Sequence, residues 1–221
     1  MSKKAKLVYF ALILPILLVA ATRAQSTANN QSRSELRRCL QSLSCSSDLD
    51  SAYQLARVGD FTYLLKVYAS SSLMRRGTII QGIYASDSGR ANPQVSSVMK
   101  KIAFGQNAAD SLSDTRWYAL QFLAETCDER ALAILNRHGG SPDASYSFQV
   151  SCGDWAKSLH AFGVCKYKQS RKVLINSLNS SCLDVLQSAG DSLGILFPGS
   201  CSVAKTPQEA AACYSAVPNV K

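Results

Sequence analysis

Histidine and tryptophan are scarce in this chain, with 2 of each among 221 residues, and only 12 glycines accompany them. The two imidazoles, His138 and His160, belong to no HExxH run, and no two cysteines form a CxxC, so the spacings that hold zinc are missing. No metal and no cofactor are therefore expected. A Walker-type phosphate loop, a GxGxxG turn after a strand and a GxSxG nucleophile elbow are also lacking, and strict alternation over strand lengths is hard to find. No dense Lys/Arg stripe with interleaved aromatics argues for specific nucleic-acid binding. After residue 21 no apolar run approaches the roughly 20 residues that cross a bilayer as a helix.

What is present begins with an address. Lys3, Lys4 and Lys6 precede an uncharged run from Leu7 to Ala21, and Thr22-Arg23-Ala24 offers small residues where a signal peptidase reads. Cleavage is expected after Ala24, which makes residues 1–24 a signal peptide and sends the chain to the periplasm or outside the cell; retention as an N-terminal anchor is the alternative. Cleavage removes Lys3, Lys4, Lys6 and Arg23 with no acid, lowering the net charge from +9 to +5. That surplus favours mild attraction to an anionic envelope component.

From Ser34 onward apolar residues recur at steps of three and four, the period of amphipathic helices. Helices are predicted over Leu64–Tyr68, Leu73–Tyr84, Val95–Phe104, Thr115–Leu123 and Ala131–Asn136, with turns at Asn92-Pro93, Gly139–Pro142, Asn179–Ser181 and Pro198-Gly199. One phrase also repeats. Thr115–Ala124, the Cys127-Asp128 turn and Glu129–Leu135 return as Trp155–Gly163, Val164-Cys165 and Val173–Leu178, and then as Asp184–Leu186 leading through Ala189 to Leu193–Leu196. Leu73–Tyr84, with Gly77 and Gly82, and Ala52–Val58 before Gly59-Asp60 are looser copies.

These segments resemble the bacterial HEAT-like repeats of the PBS-lyase type, in which an Ala-rich second helix ends on Leu-Gly and the next helix opens after a Gly-Asp turn. The resemblance spans about Leu49 to Leu196. It implies an all-α fold, a short right-handed α-solenoid of antiparallel helix pairs; an irregular helical bundle is the alternative. Small residues at Ala119, Ala124, Gly163, Ala189 and Gly194 are expected to let neighbouring helices approach. The expected organisation is a flexible segment over 25–33, the repeat domain over 34–197 and a Cys-containing cap over 198–221.

All eight cysteines lie beyond the signal, and an even set in an oxidising compartment reads as disulfides. The repeat register places Cys127 and Cys165 at equivalent turns and Cys152 and Cys182 near the starts of adjacent second helices. The expected pairs are therefore Cys127–Cys165, Cys152–Cys182 and, locally, Cys39–Cys45 and Cys201–Cys213, the local pairs stapling the ends.

Chemistry is harder to find. Cys165 with His160, backed by Asp154 or Asp191, would make a nucleophile only while that thiol is free. The acidic pairs Asp48/Asp50 and Asp128/Glu129 stand at helix starts, where the helix dipole accounts for them. No catalytic residue is assigned. In the resembling family the second helices line the concave side, which implies a partner face at Arg75, Arg76, Arg116, Trp117, Gln121, Trp155, Lys157 and His160. The Trp residues read equally well as core and the arginines as a solvated face. The expected function is a non-enzymatic, exported repeat protein that acts as a scaffold or adaptor for a protein or anionic envelope partner. The alternative is a secreted hydrolase or toxin-like enzyme with active residues on a loop such as Gly139–Ser147.

Overall fold

A computed structural model of the chain describes residues 32–42, 48–105, 114–138, 151–201, 204 and 206–217. The expected signal at 1–24, most of the 25–33 segment, Cys45 and the Gly139–Ser147 loop lie outside them. All regular structure among the described residues is helical. The helices are α1 (32–41), α2 (Asp48–Arg57), α3 (Phe61–Ser70), α4 (Leu73–Ala85), α5 (Pro93–Phe104), α6 (Asp114–Glu125), α7 (Glu129–His138), α8 (Cys152–Val164), α9 (Arg171–Ser177), α10 (Leu183–Leu196) and α11 (Pro207–Ala216).

Local chemistry explains where these helices begin. Asn92 caps α5 by accepting from the Gln94 and Val95 N–H groups, and Pro93 occupies the first turn, where a missing N–H costs nothing. Asp128 accepts from the Arg130 and Ala131 N–H groups at the start of α7, Ser151 from Asp154 in α8, and Thr206 from Glu209 in α11.

The repeated phrase reappears as one repeated way of ending a helix. At the end of α2, Gly59 N–H bonds Ala56 O and Asp60 N–H bonds Leu55 O, with Gly59 at φ 76°. At the end of α6, Cys127 bonds Ala124 O and Asp128 bonds Leu123 O, with Cys127 at φ 61°. At the end of α8, Lys166 bonds Gly163 O and Tyr167 bonds Phe162 O, with Lys166 at φ 54°. Each is a Schellman turn, which satisfies the orphan carbonyls of the last turn. Only Gly59 enters the left-handed region freely, because a Cβ costs roughly 1–2 kcal/mol there.

The even-numbered helices contact one another in order: α2 with α4, α4 with α6, α6 with α8, and α8 with α10. Asp48 meets Arg75 and Ala52 meets Gly82; Gly77 meets Thr115 and Tyr84 meets Tyr118; Trp117 meets Trp155 and Gln121 meets Ser158. Cys152 meets Cys182 and Leu159 meets Ser192. Numbers rise together along both members of each pair, so these neighbours run parallel. The odd-numbered helices lie against this row, α3 touching α2 and α4, α5 touching α6, and α7 touching α6 and α8.

Two seams close on glycine. A Cβ at Gly82 would lie 2.7 Å from Ala52 Cβ and 2.9 Å from Tyr53 N, and one at Gly163 would lie 2.6 Å from Ser192 Oγ and 2.8 Å from Ser192 Cα. Ala119, Ala124 and Ala189 are buried as expected. Gly194 differs: nothing lies within 4 Å of where its Cβ would be, because α10 turns that residue to solvent and presents Ser192 to α8 instead.

The ends are tied down. On α1, Arg37 forms a two-point ion pair with Asp60, and Leu40 is buried. At the other end α11 packs on α9 and α10, Phe197 and Tyr214 meet with ring centroids 6.4 Å apart, and Cys201–Cys213 closes the intervening loop. The Cys127–Cys165 bridge joins the ends of α6 and α8 across 38 residues, a loop whose closure contributes about 4 kcal/mol on a chain-entropy account. The register is one residue off equivalence, since Lys166 rather than Cys165 takes the left-handed position of Cys127.

Cys39 is also disulfide-bonded, and one end of the expected Cys39–Cys45 pair lies outside the described residues. Cys152 and Cys182 depart from expectation. The parallel start of α8 and α10 brings them together, but they stand as two thiols rather than a bridge.

Candidate functional site

Each residue of the partner face implied by the resemblance has a definite place. Trp117 and Trp155 lie in the seam between α6 and α8, 4% and 7% exposed, with ring centroids 6.2 Å apart. Gln121 is also buried there, donating to the Asp154 carbonyl and, at 3.2 Å, to Ser158 Oγ. This trio packs one helix on the next and leaves almost no surface for a partner. An indole amid a run of apolar helical residues looks the same in sequence whether it faces a neighbour or water.

The arginines are engaged within the chain. Arg75 pairs with Asp48 at 3.1 Å and donates to the Ser42 carbonyl beyond α1. Arg76 donates to the Tyr68 and Ala69 carbonyls in the last turn of α3 and lies over the Tyr68 ring. Arg116, at the start of α6, donates to the Ala103 carbonyl near the end of α5. These guanidinium groups bond carbonyls at or just beyond helix ends, where acceptors outnumber intrahelical donors.

Lys157 and His160 remain exposed on α8. The Lys157 ammonium lies 5.0 Å from the Tyr84 ring centroid, so a residue of α8 reaches α4 past the intervening α6. Around that point Tyr84 donates to Glu125 at 2.8 Å, and Arg90 bonds both Glu125 and Asp87. Burial, then the Glu125 carboxylate, pushes the Tyr84 phenol well above its ordinary range, so it stays a neutral donor. The cluster is a closed ion-pair and hydrogen-bond network whose members satisfy one another.

An open basic surface lies where α5 meets α7. Pro93, Ser96, Lys100, Lys101, Phe104 and Arg130 line a groove of about 640 Å³ at the junction of α5 and the start of α7. Arg130 stacks over Phe104 at 4.4 Å. Lys100 is 3.3 Å from Asp128, while Lys101 and Arg130 make no ion pair among the described residues. Two uncompensated cations, an aromatic face and the hydroxyl-bearing residues Ser96 and Ser97 thus converge on one concavity. Lys100-Lys101 reads in sequence as a basic last turn that complements its own helix dipole, and Arg130 stands 29 positions away from it, so only the fold assembles them.

Among the described residues no cluster of three or more His, Cys, Asp or Glu could hold a metal ion. Cys165 is consumed by its bridge to Cys127, which removes the thiol from the Cys165–His160 arrangement. No described helix is long and apolar enough to cross a membrane. Set against protein-family models, curated proteins and solved structures, the chain matches none of them.

Proposed function

We propose that this chain is an exported, non-enzymatic scaffold or adaptor of the cell envelope, a short right-handed α-solenoid that holds an acidic segment of a partner protein in the α5/α7 groove. The groove carries the reading: Lys101 and Arg130, which have no ion-pair partner among the described residues, bring positive charge to a concave surface that also holds an aromatic face. An extended acidic strand would meet charge at its carboxylates and Phe104 at an apolar side chain, the combination of steering and anchoring that specific weak interfaces use. Support for the solenoid comes from the ordered parallel row α2, α4, α6, α8 and α10 and from the three matching Schellman turns. The disulfides and the lysine-led apolar leader of the sequence support export.

The test is titration of the protein with a fluorescent Glu/Asp-rich peptide, beside a neutral peptide of equal length. Lys101→Glu with Arg130→Glu is expected to weaken binding of the acidic peptide by about tenfold or more, with the melting temperature nearly unchanged. Added salt should weaken the wild-type complex, because exposed charges are screened within about 10 Å at 0.1 M. Equal affinity for both peptides, or binding that ignores charge reversal, rejects the groove. Preference for an anionic polysaccharide over the peptide moves the partner from protein to envelope polymer.

A further inference from the structure

We propose that Cys152 and Cys182 form an exchangeable dithiol, a site at which the chain trades two electrons with small-molecule or exposed protein disulfides, Cys182 attacking and Cys152 resolving. The inference rests on where two helices begin. Cys152 is the first residue of α8 and Cys182 caps α10, and because these helices run parallel, the two starts stand side by side. The thiols are within hydrogen-bonding reach of each other. Both cysteines are reachable: Cys152 is exposed, Cys182 is half-buried, and a Cβ built at the adjacent Gly153 meets nothing within 4 Å. The scaffold beneath is stiff, held by the Gly163–Ser192 approach and the Ser192 hydroxyl bond to the Leu159 carbonyl at 2.8 Å.

The pair stands open on the α8 side. Cys127–Cys165 and Cys201–Cys213 close loops of 38 and 12 residues, and Cys165, Cys201 and Cys213 pack against the core, as Cys182 does. Cys152 has no such cover. The two sulfurs are also unequal. Cys152 offers its hydrogen to Cys182, and the Val185 and Asp184 N–H groups at the start of α10 face the same sulfur, all of which hold the Cys182 thiol below its ordinary range. The Cys152 thiol is raised by the same contact, as donor to a neighbour that carries the charge. Asp184 opposes ionisation of both.

The exchange balances in two steps. The Cys182 thiolate attacks one sulfur of a disulfide RSSR, forming a mixed disulfide on Cys182 and releasing RS⁻, which takes up a proton. Deprotonated Cys152 then attacks Cys182 Sγ, forming the Cys152–Cys182 bond and expelling the second RS⁻, also protonated. The protein loses two hydrogens and two electrons, and RSSR becomes two RSH. A reduced dithiol partner reverses the reaction.

Oxidised glutathione serves as the probe on the folded, purified protein, with free thiols read by alkylation and intact mass. Wild type is expected to lose both alkylatable thiols together, and to regain both in excess reduced glutathione while Cys127–Cys165 and Cys201–Cys213 stay oxidised. Cys152→Ser should trap one glutathione on Cys182, and Cys182→Ser should trap far less. Thiols that stay alkylatable in oxidised glutathione overturn the proposal, as does a bridge that reduces only alongside the other two. An adduct that accumulates in Cys182→Ser instead overturns the assignment of attacking sulfur. Circular dichroism of both serine variants separates a folding defect from a lost thiol, and wild-type alkylation under native conditions needs neither variant.

Discussion

The seam between α8 and α10 and the seam between α6 and α8 share a helix and a parallel direction, yet they close by opposite means. Against α10, Gly163 removes its side chain and admits the backbone of Ser192. Against α6, the same helix presents Trp155 to Trp117 and receives the Gln121 amide on the Asp154 carbonyl. A seam closed by glycine is defined by what cannot be added to it, and a seam filled by indoles is defined by what cannot be removed. Ridges packed into grooves tolerate both, because helix spacing adapts to the side chains at the contact within a range of about 8–10 Å.

Removal should be felt most. Trp155→Ala is expected to destabilise the fold by about 3–5 kcal/mol, read from the denaturant midpoint, whereas Trp155→Phe should cost much less. The indole N–H has no hydrogen-bond partner among the described residues, so the phenyl ring forfeits area but no bond seen there. A Trp155→Ala midpoint within error of wild type would show that the indoles do not hold this seam.

Addition should come next. Gly163→Ala forces a Cβ onto Ser192, an overpacking cost of about 1–3 kcal/mol that exceeds the ~1 kcal/mol gained from helix propensity. Gly194→Ala, on the open side of α10, should keep that gain and stabilise by roughly 0.5–1 kcal/mol. Thermal melts of the two variants should therefore move in opposite directions, and a shift of the same sign in both would dissolve the distinction between packed and exposed glycine.

A comparably small effect at neutral pH belongs to the network that ties α4 to α6. Tyr84→Phe keeps the ring and loses the bond to Glu125, costing about 1 kcal/mol. Burial and Glu125 raise the folded-state phenol above its ordinary 10.0, so the unfolded chain ionises first. Stability from this group is complete below pH 10 and declines as the pH rises beyond it. The stability difference between wild type and Tyr84→Phe should narrow on going from pH 9 to pH 11, and a constant gap would place the phenol in an unperturbed setting.

Much of this architecture was legible in the residues. The period of three and four located the helices from Leu73 to Leu196, and the turns Gly59-Asp60 and Cys127-Asp128 marked two of the three Schellman endings, because a turn residue followed by an acid at a helix start leaves a visible pair; Asp128 caps α7, whereas Asp60 makes no cap bond and pairs with Arg37. The repeat register was good enough to join Cys127 to Cys165. Elsewhere pattern ran out. Gly163 and Gly194 occupy similar places in their segments, and only the rotation of α10 decides which one meets a neighbour. The burial of Trp117, Gln121 and Trp155 depended on the same kind of rotation. The α5/α7 groove was illegible because its charges come from two helices, and each charge has a sufficient local explanation on its own.

Arg76, Arg116 and Arg171 share a consequence. Each sits in the first turn of one helix and donates to carbonyls at the far end of another: Tyr68 and Ala69, Ala103, and Tyr214 and Val217, respectively. Fraying normally starts at those carbonyls, and a row of units that touch only their neighbours is inclined to peel from its tips. Here loosening at any of these three helix ends must first free a cation rooted in another helix, which ties the fraying of one segment to the grip of its neighbour.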